Sequence, residues 1–276
     1  MDISKCGGFL MGTRNNVFLF HRKDDEMLEK VRPIYEHAED YGFNIVHDYN
    51  KANIILSFGG DGAFLQAVRK TGFREDCLYA GISTTENLNI YCDFYINDTS
   101  KWIEAMTHEQ IEVRKYPTID VTVDKQFTFQ CLNEFSVRSS IVKAIVMEVY
   151  IDDLHFETFR GDGFIVSTPT GSTAYNKSVN GAIVDPMLPS IQVSELASIN
   201  NNQYRTLGSP FILGGNRELT IKIVQDGNDY PTMGMDNEAL SIQHVEEIKI
   251  KLSEKKIKTV KLKDNSFWEK VQRTFL

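Results

Sequence analysis

The sequence predicts an α/β N-terminal domain with a parallel sheet, followed by a mainly antiparallel β C-terminal domain. Three observations carry that expectation. Up to about residue 110, short apolar runs alternate with stretches of helical spacing, and a strand–helix–strand order implies parallel pairing. Beyond it, short segments rich in Val, Ile, Thr and Phe follow one another with few helical windows, as antiparallel sheets do. The 276 residues, 42% hydrophobic and 25% charged, suffice for one large core or two smaller ones of an ordinary globular kind. The expected boundaries are 1–110 for the α/β domain, 111–262 for the mainly β domain, and 263–276 for a tail packing back on the first.

Asn16 to Phe20 is the first short apolar run. Asp24 then offers an N-cap for the stretch Met27 to Tyr41, where Leu28, Val31, Ile34, Tyr35 and Ala38 recur at helical spacing. Gly42 stands where a helix closes. Ile45-Val46 begins a second strand, and Ala52 to Phe58 is a continuous apolar run of buried-strand type. Gly59 to Gly62 form a turn into a helix starting at Ala63, and Cys77 to Ile82 is another buried strand. Strands are then expected at Ile119–Val123, Phe127–Cys131, Ala144–Ile151, His155–Arg160 and Phe164–Ser167. Further strands are expected at Leu219–Val224, Ile242–His244, Ile248–Leu252 and Thr259–Leu262. A helix is expected from Ser172 onward and a last short one from Phe267 to Leu276.

Charge and composition exclude several classes. A net charge of −8 argues against a nucleic-acid partner held on a basic surface. No window approaches 18 consecutive apolar residues, which argues against a membrane span or membrane partner. Met1 to Gly12 lacks the apolar core and cleavage site of a secretory signal. Cys6, Cys77, Cys92 and Cys131 show no Cys-x-x-Cys pair and no histidines at zinc spacing. They read as buried thiols of a cytoplasmic protein, with no dedicated metal site.

The sharpest feature is Phe58-Gly59-Gly60-Asp61-Gly62, between a buried strand and a helix. Glycines let the backbone approach an anion, and the helix start offers unpaired N–H groups and the positive end of its dipole. An aspartate there is unusual, because it brings negative charge to a phosphate site. Metal coordination or acceptance of a hydroxyl proton would explain it, as would simple capping of the helix. The turn is not a Walker loop, and the third glycine of a dinucleotide fingerprint is missing, which weighs against hydride transfer.

A second feature runs from Arg160-Gly161-Asp162-Gly163 through a strand to TPTGSTAYNKS, Thr168 to Ser178. Its hydroxyls, amides and glycine turn before a helix suit a second anion or nucleotide contact, and Tyr175 could stack on a base. An ordinary helix N-cap would look similar. Asn133-Glu134 interrupts an apolar strand region and suits either a surface face or a pair holding ribose hydroxyls. Asp236, after Gly234, is open between a turn and a site.

Together with Tyr204 to Pro210 (YRTLGSP), these motifs resemble the NAD kinase family in order and spacing, from about Asn16 to the C-terminus. A GGDG turn is shared with phosphofructokinases and lipid kinases; the TPTGSTAY run with the Asn-Glu pair is the specific part. Within the family the sequence most resembles the second paralogue of Gram-positive bacteria.

The resemblance implies a two-domain NAD kinase-like fold and transfer of the ATP γ-phosphoryl group to the 2′-hydroxyl of the adenosine ribose of NAD, giving NADP. It implies Asp61 as the essential aspartate and Gly59, Gly60 and Gly62 as the turn facing the phosphates. Asn133 and Glu134 would hold ribose hydroxyls. Asp162, Thr173, Ala174 and Tyr175 would line the adenine side with Thr170 and Ser178 near, and Asp236 would face the adenosine ribose. Arg160 and Lys177 would be charge partners. ATP is the implied donor, with a divalent cation such as Mg²⁺, and a homodimer or homotetramer through the β domain is the implied assembly.

One departure concerns Glu86 to Tyr91, where the family's Gly-x-Leu-Gly-Phe loop has lost both glycines. That predicts a different backbone course and puts in question the role of Tyr91 as a cover over NAD. Asn237 also stands where many members carry glycine. The alternatives are a GGDG lipid kinase and a catalytically degenerate NAD(P)-binding regulator.

Overall fold

The apolar run ahead of the glycine turn becomes the buried centre of a parallel sheet. The computed structural model describes residues 15–98, 111–224, 231–241, 244–263 and 265–276. The chain divides into two units, Met1–Lys115 with Ile257–Leu276, and Tyr116–Lys256, against the expected breaks after residues 110 and 262.

In the first unit, β1 (Asn16–Phe20), β2 (Asn44–Ile45), β3 (Ile54–Phe58) and β4 (Leu78–Ser83) lie in the order β2-β1-β3-β4 with parallel neighbours. All five residues of β3 are buried, as an unbroken apolar run demands of a strand covered on both faces. Helix α1 (Asp25–His37) starts where Asp24 accepts a hydrogen bond from the Met27 amide, and it buries Met27, Val31 and Ile34. Helix α2 (Asp61–Lys70) follows β3 directly and buries Phe64, Leu65, Ala67 and Val68. A short strand that the sequence does not announce, β5 (Cys92–Tyr95), pairs in parallel with the end of β4.

The C-terminal helix, Phe267–Phe275, also belongs to this unit. Ser266 and Glu269 close a capping box at its start. Ser266→Ala is expected to cost about 1 kcal/mol in chemical denaturation, since an orphan helix amide loses its acceptor.

The second unit is a sandwich of antiparallel strands. Its strands are β6 (Ile111–Val123, of which 116–123 lie in this unit), β7 (Phe127–Cys131), β8 (Glu134–Arg138), β9 (Ile145–Ile151), β10 (Leu154–Gly161), β11 (Gly163–Ser167), β12 (Ser190–Leu196), β13 (Phe211–Gly214), β14 (Glu218–Ile223), β15 (Thr232–Met235), β16 (Glu238–Ser241) and β17 (Glu247–Leu262, of which 247–256 lie in this unit). One sheet runs β13-β12-β11-β8-β15-β16, and the other contains the succession β10-β9-β14-β17. Alternate residues make the core between them: Ile145, Met147 and Val149 with Leu219, Ile221, Ile248 and Ile250 from one sheet, Phe135, Val137, Phe164, Val166, Ile191, Val193 and Met233 from the other. The period of two is what puts these residues on one face.

Three sequence expectations are corrected. Ile248–Leu252 and Thr259–Leu262 are parts of one strand, β17; its exposed Glu254, Lys255 and Lys256 resemble a break when read locally. The helix expected from Ser172 is a 3₁₀ turn, Thr170–Thr173, and then a single helical turn, Tyr175–Ser178. The reason is local: the Ser172 and Thr173 hydroxyls donate to the carbonyls of Pro169 and Thr170, competing with a regular helix. The strands β5, β8, β12, β13, β15 and β16 are additions to the expected set. Of the strand expected at Ile242–His244, residues 242 and 243 lie outside the described residues, as do Met1–Gly12 and Cys6.

Candidate functional site

The glycine turn and Asp61 belong to the first unit. Gly59 has φ +142°, and a Cβ there would fall 2.7 Å from that of Ala63, so a side chain is doubly excluded. At Gly60 and Gly62 a Cβ would meet nothing within 4 Å, which leaves open space beside the start of α2. Gly60 is the N-cap and contributes no side-chain cap; Asp61 is the first helical residue.

Asp61 does not cap its own helix. Its Oδ2 accepts from the Ile90 amide at 3.0 Å and its Oδ1 from the Tyr91 amide at 2.9 Å. Burial raises its pKa from the ordinary carboxylate value, against the lowering effect of those two N–H donors and of the charges on Lys270 and Arg273. The amides come from the altered loop. None of the residues 86–91 has a positive φ, so the backbone there does not require the two lost glycines. The ring of Tyr91 is buried and stacks on Phe64 at 4.8 Å and 3°. What Tyr91 gives Asp61 is its backbone N–H.

The other predicted residues are in the second unit, where the backbone binds them together. Asp236, at φ +50°, accepts from the amides of Leu132 at 3.1 Å, Asn133 at 2.7 Å and Glu134 at 3.2 Å. It shapes the two-residue connection between β7 and β8 that displays Asn133 and Glu134. The Thr168 hydroxyl donates to Leu132 O at 2.7 Å, and the Thr168 amide donates to Asn133 O at 2.8 Å. A Cβ on Gly171 would stand 2.0 Å from Asn133 O, so only glycine allows this approach. The Asn-Glu pair and the TPTGSTAY run are one structure.

Glu134 is buried, and its Oε2 has no hydrogen-bond partner among the described residues. Its pKa is pushed up to about 8 by burial and by the charge of Asp236, against one N–H from Tyr175. Thr170 is fully buried, with its Oγ1 likewise unpartnered among the described residues. Thr173 is buried, Ala174 and Tyr175 are half-buried, and Asp162, Lys177 and Ser178 are exposed. Arg160 places its guanidinium 5.2 Å from the centre of the Tyr204 ring.

A cavity of about 660 Å³ is lined by Asp162 and Tyr175, with Arg138, Lys143, Leu196 and Ala197. That volume suits a small-molecule ligand. Sequence motifs do not single out Arg138 and Lys143; the alternation Glu134, Ser136, Arg138 along β8 is the available signal, since those three share the face opposite Phe135 and Val137. A larger cavity of about 880 Å³, near Asp120 and Lys255, carries none of the motif residues. Among the described residues no group of three or more His, Cys, Asp or Glu could hold a metal ion.

A carboxylate in a glycine turn at a helix start, without the third glycine of a dinucleotide fingerprint, suits a small-molecule phosphotransferase better than a hydride-transfer enzyme. Residues 132–262 match the family model of the ATP-NAD kinase C-terminal domain. The sequence is 66% identical to NAD kinase 2 of Bacillus licheniformis over 96% of this chain and 100% of that protein. It is 65% identical to NAD kinase 2 of Bacillus subtilis, over 95% and 98%. The chain belongs to the NAD kinase family. In fold it resembles a yeast NADH kinase solved with NADH (TM-score 0.76, 18% identity, covering 94% of this chain and 86% of that one). It also resembles an NAD kinase from Archaeoglobus fulgidus solved with ATP (TM-score 0.71, 21% identity, 94% and 99%).

Proposed function

We propose that the protein phosphorylates NAD at the 2′-hydroxyl of its adenosine ribose, with ATP as donor and NADP as product. The observation that carries this reading is 66% identity over nearly the whole chain to an NAD kinase, with the Asn-Glu pair and the TPTGSTAY run joined in one structure. Asp61 orients the attacking hydroxyl and takes its proton, and the open space at Gly60 and Gly62 admits phosphates to the helix start. Asn133 and Glu134 hold ribose hydroxyls, and Asp236 faces the adenosine ribose while fixing their backbone. Thr170, Thr173, Ala174, Tyr175 and Ser178 with Asp162 line the nucleoside side, and Arg160 and Lys177 supply nearby charge.

Phosphoryl transfer needs chiefly positioning and charge neutralisation. A divalent cation such as Mg²⁺, arriving with the ATP phosphates, would supply the neutralisation and requires only one or two carboxylates. Asp61, the carboxylate of the turn, fits that limited demand. No observation favours a lipid acceptor. No helix among the described residues is long and apolar enough to cross a membrane. The buried thiols of Cys77, Cys92 and Cys131 accord with action in the cytoplasm. Assembly as a homodimer or homotetramer belongs to the same proposal, and a light-scattering mass of a single chain would overturn it.

The test is purified protein with NAD, ATP and Mg²⁺, coupled to an NADP-dependent dehydrogenase. Steady NADP formation is expected, abolished when ATP or NAD is omitted; its absence with folded protein would overturn the proposal.

A further inference from the structure

The two amides that hold Asp61 belong to peptide groups gripped at their other ends by cations. The peptide between Asn89 and Ile90 donates its N–H to Asp61 Oδ2, and its carbonyl accepts from Arg273 Nη2 at 3.0 Å. The peptide between Ile90 and Tyr91 donates to Asp61 Oδ1, and its carbonyl accepts from Lys270 Nζ at 2.9 Å. Both cations stand on the C-terminal helix, three residues apart, and so share one helical face.

The grip is a built one. Arg273 also donates to Leu88 O at 3.0 Å and Cys92 O at 3.1 Å, and to Asn265 Oδ1 at 3.2 Å. Lys270 is 1% exposed and pairs at 2.7 Å with Asp93, which is also bonded by the Asn265 amide. A buried lysine carries a large desolvation cost, offset here by Asp93 and a carbonyl. Hydrogen bonds in such a chain polarise one another, so a cation on the carbonyl strengthens the N–H as a donor.

We infer that Arg273 and Lys270 are positioning residues for Asp61, each orienting and polarising one of the two peptide groups that fix its carboxylate. The inference rests on the proposed role of Asp61. It also gives the altered loop a purpose: its carbonyls face the C-terminal helix and its amides face the turn.

Arg273 is the residue to change, because its side chain is 30% exposed and its loss leaves the buried Lys270–Asp93 pair intact. In Arg273→Ala, kcat is expected to fall on the order of tenfold while KM for NAD and ATP stays within about twofold, as for a misplaced reacting group. Arg273→Lys should recover part of the loss. The deciding measurement is a double-mutant cycle with Asp61→Asn. If Arg273 acts through Asp61, its removal adds little in the Asp61→Asn background. Losses that multiply, an unchanged kcat in Arg273→Ala, or a loss equal to the fraction unfolded by circular dichroism would each overturn the inference while leaving Asp61 in its role. Near-normal turnover of Asp61→Asn alone would instead remove that role, and the positioning argument with it.

Discussion

Asp61→Asn is expected to lower kcat by about 10²-fold or more, the scale of general acid–base help, while KM for both nucleotides changes little. The carboxylate is flanked by two backbone donors, one on each oxygen. An asparagine can satisfy only one of them, and its amide nitrogen must then face the other N–H. The change also deletes the one negative charge of the turn. Burial raises the pKa of Asp61 from its ordinary value, which makes its carboxylate a better proton acceptor than an exposed one. A hydroxyl attacking a phosphoryl group needs such an acceptor late in the reaction, or at least a fixed hydrogen-bond partner. The measurement is coupled NADP formation with saturating NAD and ATP, accompanied by a melting curve. A variant that melts near the parent and turns over near the parent rate would show that Asp61 merely ties the loop to the turn.

That possibility is already open in the sequence, where an aspartate in a glycine turn can be base, ligand or cap. Spacing cannot show that the carboxylate reaches about thirty positions ahead to the amides of Ile90 and Tyr91. The same holds for Asp236, whose amide partners at 132–134 are about a hundred residues away. Such contacts are set by the topology of the sheets, and local pattern carries no trace of them. Tyr91 illustrates this: its ring is buried against Phe64, and its backbone N–H is what reaches Asp61. Where local physics decides, the sequence is explicit. Asp24 caps α1, and the apolar run ending at Phe58 is a buried parallel strand. The short strands β12, β13, β15 and β16 escape notice because four to seven residues give too few alternations to stand out. The motif residues of the second unit are legible as types, but their union through Gly171, Thr168 and Asp236 is not.

Glu134→Gln is expected to stabilise the protein at alkaline pH and to remove a pH dependence from NAD binding. The pKa of Glu134 is about 8 in the folded chain against 4.5 for the free side chain. Below pH 4.5 both folded and unfolded chains hold the proton. Between 4.5 and about 8 only the unfolded chain releases it, so this group's contribution to stability falls by about 1.4 kcal/mol per pH unit and levels off above 8. Glutamine has no proton to lose, keeps the shape, and avoids placing a second charge beside Asp236. Melting temperatures of variant and parent should therefore be close at pH 5 and diverge towards pH 8.5, with the variant higher by an amount equivalent to a few kcal/mol. Parallel curves at all pH values would contradict the burial argument. Function should move the opposite way. A ribose hydroxyl donating to the unpartnered Oε2 binds the carboxylate more strongly than the neutral acid, by a difference worth on the order of tenfold. In the parent, KM for NAD should fall as pH rises from 6.5 to 8.5; in Glu134→Gln it should stay flat and high. Identical slopes in the two proteins would place the ribose elsewhere. On the proposed role, a residue that weakens the free protein progressively as pH rises from 4.5 to about 8 stands in this position because its unpaired oxygen would accept from the ligand.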